Sequence, residues 1–170
     1  MKSGLVYLRP SRLVYVRHTG PYETTIPAAW KVMMAWLAKN DMHSSMGRGY
    51  GLLRDCPKNV APEKLRFDAC VDLDPLFEER AIRELGAQTL PGGSYMRVRA
   101  VGSYEQLQSK LATYHTNFEA PAGFKLDERR PLVTIYLDSP IRADDNLRAD
   151  VCLPVSVASG RGEGDGRQAA

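Results

Sequence analysis

The residues able to do chemistry are few and scattered. Three cysteines, Cys56, Cys70 and Cys152, and three histidines, His18, His43 and His115, stand far apart in a chain of 170 residues. No C-x-x-C pair occurs, and no His or Cys spacing suits a zinc site. No Ser-His or Cys-His arrangement offers a nucleophile with its base. No metal, cofactor or catalytic residue is therefore expected. Separated, odd-numbered thiols fit a reducing compartment, and Cys70 and Cys152 read as buried, inert thiols. His18, just before a Thr-Gly-Pro turn, reads as a capping or surface histidine. The remaining polar feature is a duplicated Arg-x-Asp. Arg66 with Asp68, and Arg148 with Asp150, alternate onto one strand face. A structural ion pair between the two halves of the fold is one reading, and a ligand contact by Asp68 and Asp150 is the other.

Aromatic side chains are the better candidates for binding, because they supply flat apolar contact. Trp30 fits either a groove wall or the core, and Trp36 fits the core. Tyr22 and Tyr104 sit in turns and read as fixing the starts of helices. Tyr95 and Tyr136 are strand residues with a polar tip, suited to a groove as well as to a core.

The elements that must position these groups come in duplicate. Val16, Arg17, Gly20, Tyr22 and Glu23 return 82 residues later as Val98, Arg99, Gly102, Tyr104 and Glu105. Ala61, Leu65, Arg66, Asp68 and Cys70 return at the same offset as Ala143, Leu147, Arg148, Asp150 and Cys152. Asp55 and Pro57 return one residue further on, as Asp138 and Pro140. In the first copy, residues 13–17 read as a strand, and 20–22 as a turn. Residues 23–39 read as an amphipathic helix, with Ile26, Trp30, Met33 and Leu37 at helical spacing. Residues 47–54 and 65–73 read as strands. The second copy repeats the plan with a strand at 95–101, a helix at 105–118, and strands at 132–137 and 148–155. The fold class is therefore α+β, a tandem β-α-β-β repeat. Pairing the copies about a pseudo-two-fold axis predicts one antiparallel sheet, two main helices on it, and a central groove. Such seams favour ligands. Residues 1–155 make one domain of two repeats, about 13–73 and 95–155. Between them, residues 76–85 suggest a short helix ending at Gly86. Residues 156–170, rich in Gly and charge, read as a disordered tail.

Composition excludes several classes. The chain has 23 basic and 20 acidic residues, mixed along its length, for a net charge of +3. A duplex-DNA binder concentrates its basic residues on one face or arm, so no direct nucleic-acid binding is expected. No apolar run is long enough to span a membrane, and the N-terminus lacks a secretory signal. The expected location is the cytoplasm.

Three stretches resemble a known family. They are Val16-Arg17-His18-Thr19-Gly20-Pro21-Tyr22, then Asp55-Cys56-Pro57 through residues 62–71, then Tyr136-Leu137-Asp138-Ser139-Pro140 through residues 147–155. In that order, with the duplication, they are similar to the gyrase-inhibitor-like (GyrI-like) family, the effector-binding domain of AraC-type regulators. The resemblance implies the tandem fold with its groove, and binding of an amphipathic small molecule such as an effector or drug. Many members are sensing parts of transcription regulators. One stand-alone member inhibits DNA gyrase, and a subset hydrolyses strained small molecules. Only 12 residues precede the first predicted strand, too few for a helix-turn-helix domain. The expectation is thus a stand-alone binder or the sensing part of a longer regulator, with gyrase inhibition as the alternative. DNA gyrase or a separate DNA-binding protein is the macromolecular partner implied. In cation-binding and hydrolytic members a buried glutamate stands where this chain has Thr134, and the repeat-related position is Gly51. That departure argues against a hydrolase and for a neutral ligand. The expected groove residues are Trp30, Tyr95, Thr134, Tyr136, Asp68 and Asp150.

Overall fold

Alternation along the central strands decides what each face of the sheet carries. In the computed structural model, which describes residues 3–138 and 145–159, Phe67, Ala69 and Val71 pack with the helices. Asp68 and Cys70 point to the opposite face. The strands are β1 (Ser3–Leu8), β2 (Ser11–Thr19), β3 (Met46–Leu53), β4 (Arg66–Leu73), β5 (Gly86–Leu90), β6 (Gly93–Gly102), β7 (Phe124–Leu126), β8 (Leu132–Tyr136) and β9 (Leu147–Val157). The α-helices are α1 (Tyr22–Lys39), α2 (Pro75–Glu84) and α3 (Tyr104–Asn117). The strands form one antiparallel sheet in the order β1-β6-β9-β8-β3-β4-β2-β5, and β7 adds to β9.

The two expected β-α-β-β units lie side by side in this order, with β3 against β8 at the seam. Arg17 faces Asp68 across β2 and β4, and Arg99 faces Asp150 across β6 and β9, at the 82-residue offset seen in the sequence. Gly51 pairs directly with Thr134 at the seam. Strands β1, β5 and β7 were not expected, and β9 runs to Val157, two residues into the predicted tail. Residues 160–170 of that tail, and Ser139 and Pro140 of the third motif, lie outside the described residues.

Two short links shape the sheet. Arg9 and Pro10 alone join β1 to β2, and Pro91 and Gly92 alone join β5 to β6. Each link connects strands near opposite ends of the strand order. Two residues span at most about 11 Å between their flanking Cα atoms, whereas six strand spacings cover about 29 Å. The sheet must therefore curl until its ends approach. The curl buries the face without helices, where Leu13, Leu52, Cys70, Leu90, Tyr95, Val133 and Cys152 form a second core. Arg130 braces this core at the start of β6. It donates to the carbonyls of Ser94 (3.1 Å) and Val155 (2.8 Å), pairs with Asp127 (3.0 Å) and lies over the Tyr95 ring.

The helices cover the other face. Tyr22, Ile26, Trp30, Met33 and Leu37 of α1 are buried at the predicted spacing. The Tyr22 hydroxyl donates to the Asp55 carbonyl (2.6 Å) and accepts from the Asp55 N–H (3.1 Å), fixing the start of the helix. Ser103 and Gln106 form a capping box on α3. The Trp36 indole N–H donates to Glu84 (2.6 Å), clamping α2 to α1.

The duplicated acids pair within each half, not between halves. Asp68 is fully buried and takes a bidentate contact from Arg17 (2.6 and 2.9 Å), with further bonds from Arg54 (3.0 Å) and Gln88 (2.9 Å). Asp150 pairs with Arg99, and Arg97 stands 4.0 Å away. Arg66 and Arg148 turn instead to Asp55 and Asp138. The register explains this. A directly opposed cross-strand residue is nearer than a residue two positions along the same strand.

Candidate functional site

The sheet's helix face has a flat floor at the seam. Gly49 and Gly51 of β3 lie opposite Tyr136 and Thr134 of β8. The missing side chains leave room that α1 fills with Trp30. A Cβ on Gly49 would stand 3.2 Å from Trp30 Cη2, and a Cβ on Gly51 would stand 3.3 Å from the Tyr136 hydroxyl. Trp30 and Tyr136 meet edge to face, with ring centroids 5.1 Å apart and an interplanar angle of 84°. Thr134 completes the group from the residue paired with Gly51.

All three side chains are packed: Trp30 is 3% exposed, Thr134 1% and Tyr136 6%. An open groove lined by these groups was expected, and instead the indole occupies its centre. The opening lies alongside. Tyr136 and Gly49 line a cleft of about 530 Å³ together with Met46, Arg48, Asp72 and Asp138. Its two carboxylates are engaged. Asp72 accepts from the Arg48 backbone N–H, and Asp138 holds Arg148 in a bidentate pair (3.0 and 3.0 Å).

Three polar atoms in the packed group have no hydrogen-bond partner: Trp30 Nε1, Thr134 Oγ1 and Tyr136 OH. The Trp30 N–H comes close enough to the Tyr136 hydroxyl to influence it without forming a well-directed bond. Burial drives the Tyr136 phenol far above its ordinary pKa, so it stays protonated and able to donate.

The other predicted site residues do not join this group. Tyr95, Asp68 and Asp150 belong to the opposite face. Tyr95 is fully buried, donates its hydroxyl to the Pro91 carbonyl (2.7 Å) and lies under Arg130. Asp68 is held below the ordinary carboxylate range: burial pushes its pKa up, and the bonds from Arg17, Gln88 and Arg54 outweigh that. These are structural roles. Cys70 and Cys152 also lie on that face, and burial raises both thiols, Cys152 to about 12. Among the described residues, no cluster of three or more His, Cys, Asp or Glu side chains could hold a metal ion. Gly49 and Met46 were missed as site residues. The glycine alternation at 47, 49 and 51 was the available signal, since a strand with glycine on one face marks close approach.

A second, mostly apolar cleft of about 440 Å³ lies at the N-terminal ends of α1 and α3, lined by Tyr22, Ile26, Pro57 and Leu65 with Glu23 and Glu105. Ile26 is one helical turn before Trp30.

Known proteins share this fold and parts of this sequence. Residues 1–156 match the profile of the GyrI-like small molecule binding domain. A DNA gyrase inhibitor of Cronobacter turicensis is 27% identical over 141 residues, covering 82% of this chain and 87% of that protein. A DNA gyrase inhibitor of Serratia proteamaculans is 36% identical over 86 residues, 49% of this chain and 54% of that protein. Among solved structures, SAV2435 bound to tetraphenylphosphonium has the same fold, with a TM-score of 0.66 at 17% identity over 92% of this chain and 94% of that one. A hydrolase from Listeria innocua also shares the fold, with a TM-score of 0.53 at 15% identity over 91% and 92% of the chains.

Proposed function

We propose that this chain, which belongs to the GyrI-like family of small molecule binding domains, takes an amphipathic small molecule between Trp30 and Tyr136 and binds it without turnover. The observation that carries this reading is the aromatic pair over a glycine floor, opening into a cleft of about 530 Å³. That volume suits a drug-sized ligand. The indole can swing toward the cleft and leave its place to an aryl group, so the two aromatic walls would supply most of the affinity. No general base is assigned: Asp138 is taken up by its bidentate pair with Arg148, and Asp72 accepts from the Arg48 backbone N–H at the cleft's rim. The role is that of a sensor or sequestering module, and in a regulator it would be the sensing part.

The test uses the two tryptophans. Trp36→Phe leaves Trp30 as the sole tryptophan, excited selectively at the red edge of its absorption. Binding should shift its emission and raise the melting temperature in a screen of amphipathic aromatic compounds. If no compound moves either signal, the reading fails. A second reading, inhibition of DNA gyrase, is favoured by the names of the Cronobacter and Serratia relatives. A supercoiling assay with purified gyrase, with and without the chain, tests it separately.

A further inference from the structure

Native interiors rarely leave a buried polar atom unpaired, because each one forfeits its hydration without replacement. Here three unpaired atoms belong to one packed group: Trp30 Nε1, Thr134 Oγ1 and Tyr136 OH. All three side chains are more than nine-tenths buried. They also converge. Thr134 lies directly across the sheet from Gly51, and the Tyr136 hydroxyl stands over Gly51. The indole packs on the Tyr136 ring.

An indole N–H can only donate, whereas each hydroxyl can donate or accept. The Trp30 N–H is close to the Tyr136 hydroxyl without a well-directed bond. The group can therefore offer up to three donors to an incoming acceptor, and only an acceptor satisfies the indole. A ligand cation would meet an N–H that repels it and no buried carboxylate. The charged residues that line the adjoining cleft, Arg48, Asp72 and Asp138, are less buried than these three side chains, and the carboxylates are already engaged. A carboxylate ligand would lose its hydration with no buried ammonium or guanidinium to compensate, which costs several kcal/mol. A neutral oxygen acceptor avoids both penalties.

We infer that the Trp30, Thr134 and Tyr136 donors receive the carbonyl or ether oxygen of a neutral, aryl-bearing ligand. This rests on the groove reading above and adds the ligand's chemical class. The aryl group lies against Trp30 and Tyr136, and the oxygen points at the glycine floor. The donors explain why a hydroxyl, rather than an acid or an apolar side chain, stands at Thr134. They are unpaired in the free protein because their partner arrives with the ligand.

The experiment compares benzophenone with diphenylmethane, which has the same two rings but no oxygen, by calorimetric titration of the full chain. Benzophenone should bind at least tenfold tighter, about 1.4 kcal/mol. Thr134→Val and Tyr136→Phe should each reduce that preference while leaving the melting temperature unchanged or higher, since each removes an unpaired group. A merely structural role would lower it. Irradiation of bound benzophenone should attach it to residues of this groove, a readout that needs no variant. Equal affinity for the two compounds overturns the acceptor inference and leaves the binding reading standing. A preference that survives both substitutions, or attachment elsewhere, overturns it too. So does tetraphenylphosphonium binding tighter than benzophenone. If neither matched compound nor any member of the amphipathic screen binds, the groove reading falls with it.

Discussion

Asp68 and Asp150 give the same interaction in two settings, so one protein contains its own control. Each acid faces an arginine across the sheet at equivalent register. The settings differ in exposure. The Asp68 side chain is 0% exposed, and its partners Arg17 and Arg54 are 37% and 22% exposed. The Asp150 side chain is 8% exposed and meets Arg99 and Arg97, which are 45% and 47% exposed. Removing one charge of a buried pair costs about 3–5 kcal/mol. Arg17 and Arg54 can partly rehydrate, so the low end, about 3 kcal/mol, is expected for Asp68→Asn. Asp150 is held mainly by arginines that are nearly half exposed and rehydrate when it is removed, so Asp150→Asn is expected to cost closer to the exposed-pair figure of about 1 kcal/mol. The difference of about 2 kcal/mol would separate the urea midpoints by roughly 1 M for a slope of about 2 kcal/mol per M. The pH dependence has a definite sign. The folded protein holds Asp68 below its ordinary pKa. Its contribution is complete above the unfolded value near 4 and is lost as pH falls through the folded value. Wild type should therefore lose stability below about pH 4, and Asp68→Asn should lose less over that range. Equal midpoints for the two variants, or a larger loss for Asp150→Asn, would refute the reasoning.

Other perturbations probe the closure, the groove and the thiols. Arg130→Ala removes charged hydrogen bonds to the β6 and β9 carbonyls and the pair with Asp127, and should lower stability by at least ~2 kcal/mol, read as a fall in melting temperature without loss of sheet signal at low temperature. Trp30→Ala empties the packed centre of the groove and should cost ~3–5 kcal/mol by urea titration. Thr134→Glu puts a carboxylate into the packed group. It should confer affinity for tetraphenylphosphonium, measured by equilibrium dialysis, at some expense of stability. Of the three thiols, Cys56 alone is not buried, so a native thiol titration should report one fast-reacting group, rising to three in denaturant.

The duplication made most of the architecture legible. Ten identities at one offset located both units, and helical spacing located the buried stripe of α1. The added strands were harder to see. β5, Gly-Ala-Gln-Thr-Leu, is short, with Leu90 its one large apolar residue, and β1 precedes the repeat altogether. Both flank the repeated units, where no second copy marks them. The site was half legible for a related reason. Trp30, Thr134 and Tyr136 came together as expected, but Tyr95, Asp68 and Asp150 were assigned to the same groove without asking which sheet face each would take. Strand parity answers that question only when anchored to a helix contact. Once Phe67 and Ala69 face α1, Asp68 must face away. The curl was invisible in the sequence, because a two-residue link implies closure only after the strand order is known.

The seam shows why the two halves of the sheet differ at the candidate groove. Gly51 and Thr134 are related by the repeat, and they also pair with each other. A side chain at Gly51 would press on the Phe67 ring at 3.0 Å and on the Tyr136 hydroxyl at 3.3 Å. Two threonines would thus crowd the floor, and two glycines would leave it without a directing hydroxyl. The same divergence holds in the helices, where Trp30 has Ala112 at the repeat-related position. Bulk enters from one copy through Trp30, and the polar contacts of the floor enter from the other through Thr134 and Tyr136. On the proposed reading, the two halves thereby make a single, oriented groove. A ligand entering between an indole on one side and hydroxyls on the other would bind in only one direction, which is what separates a recognition site from a merely apolar seam.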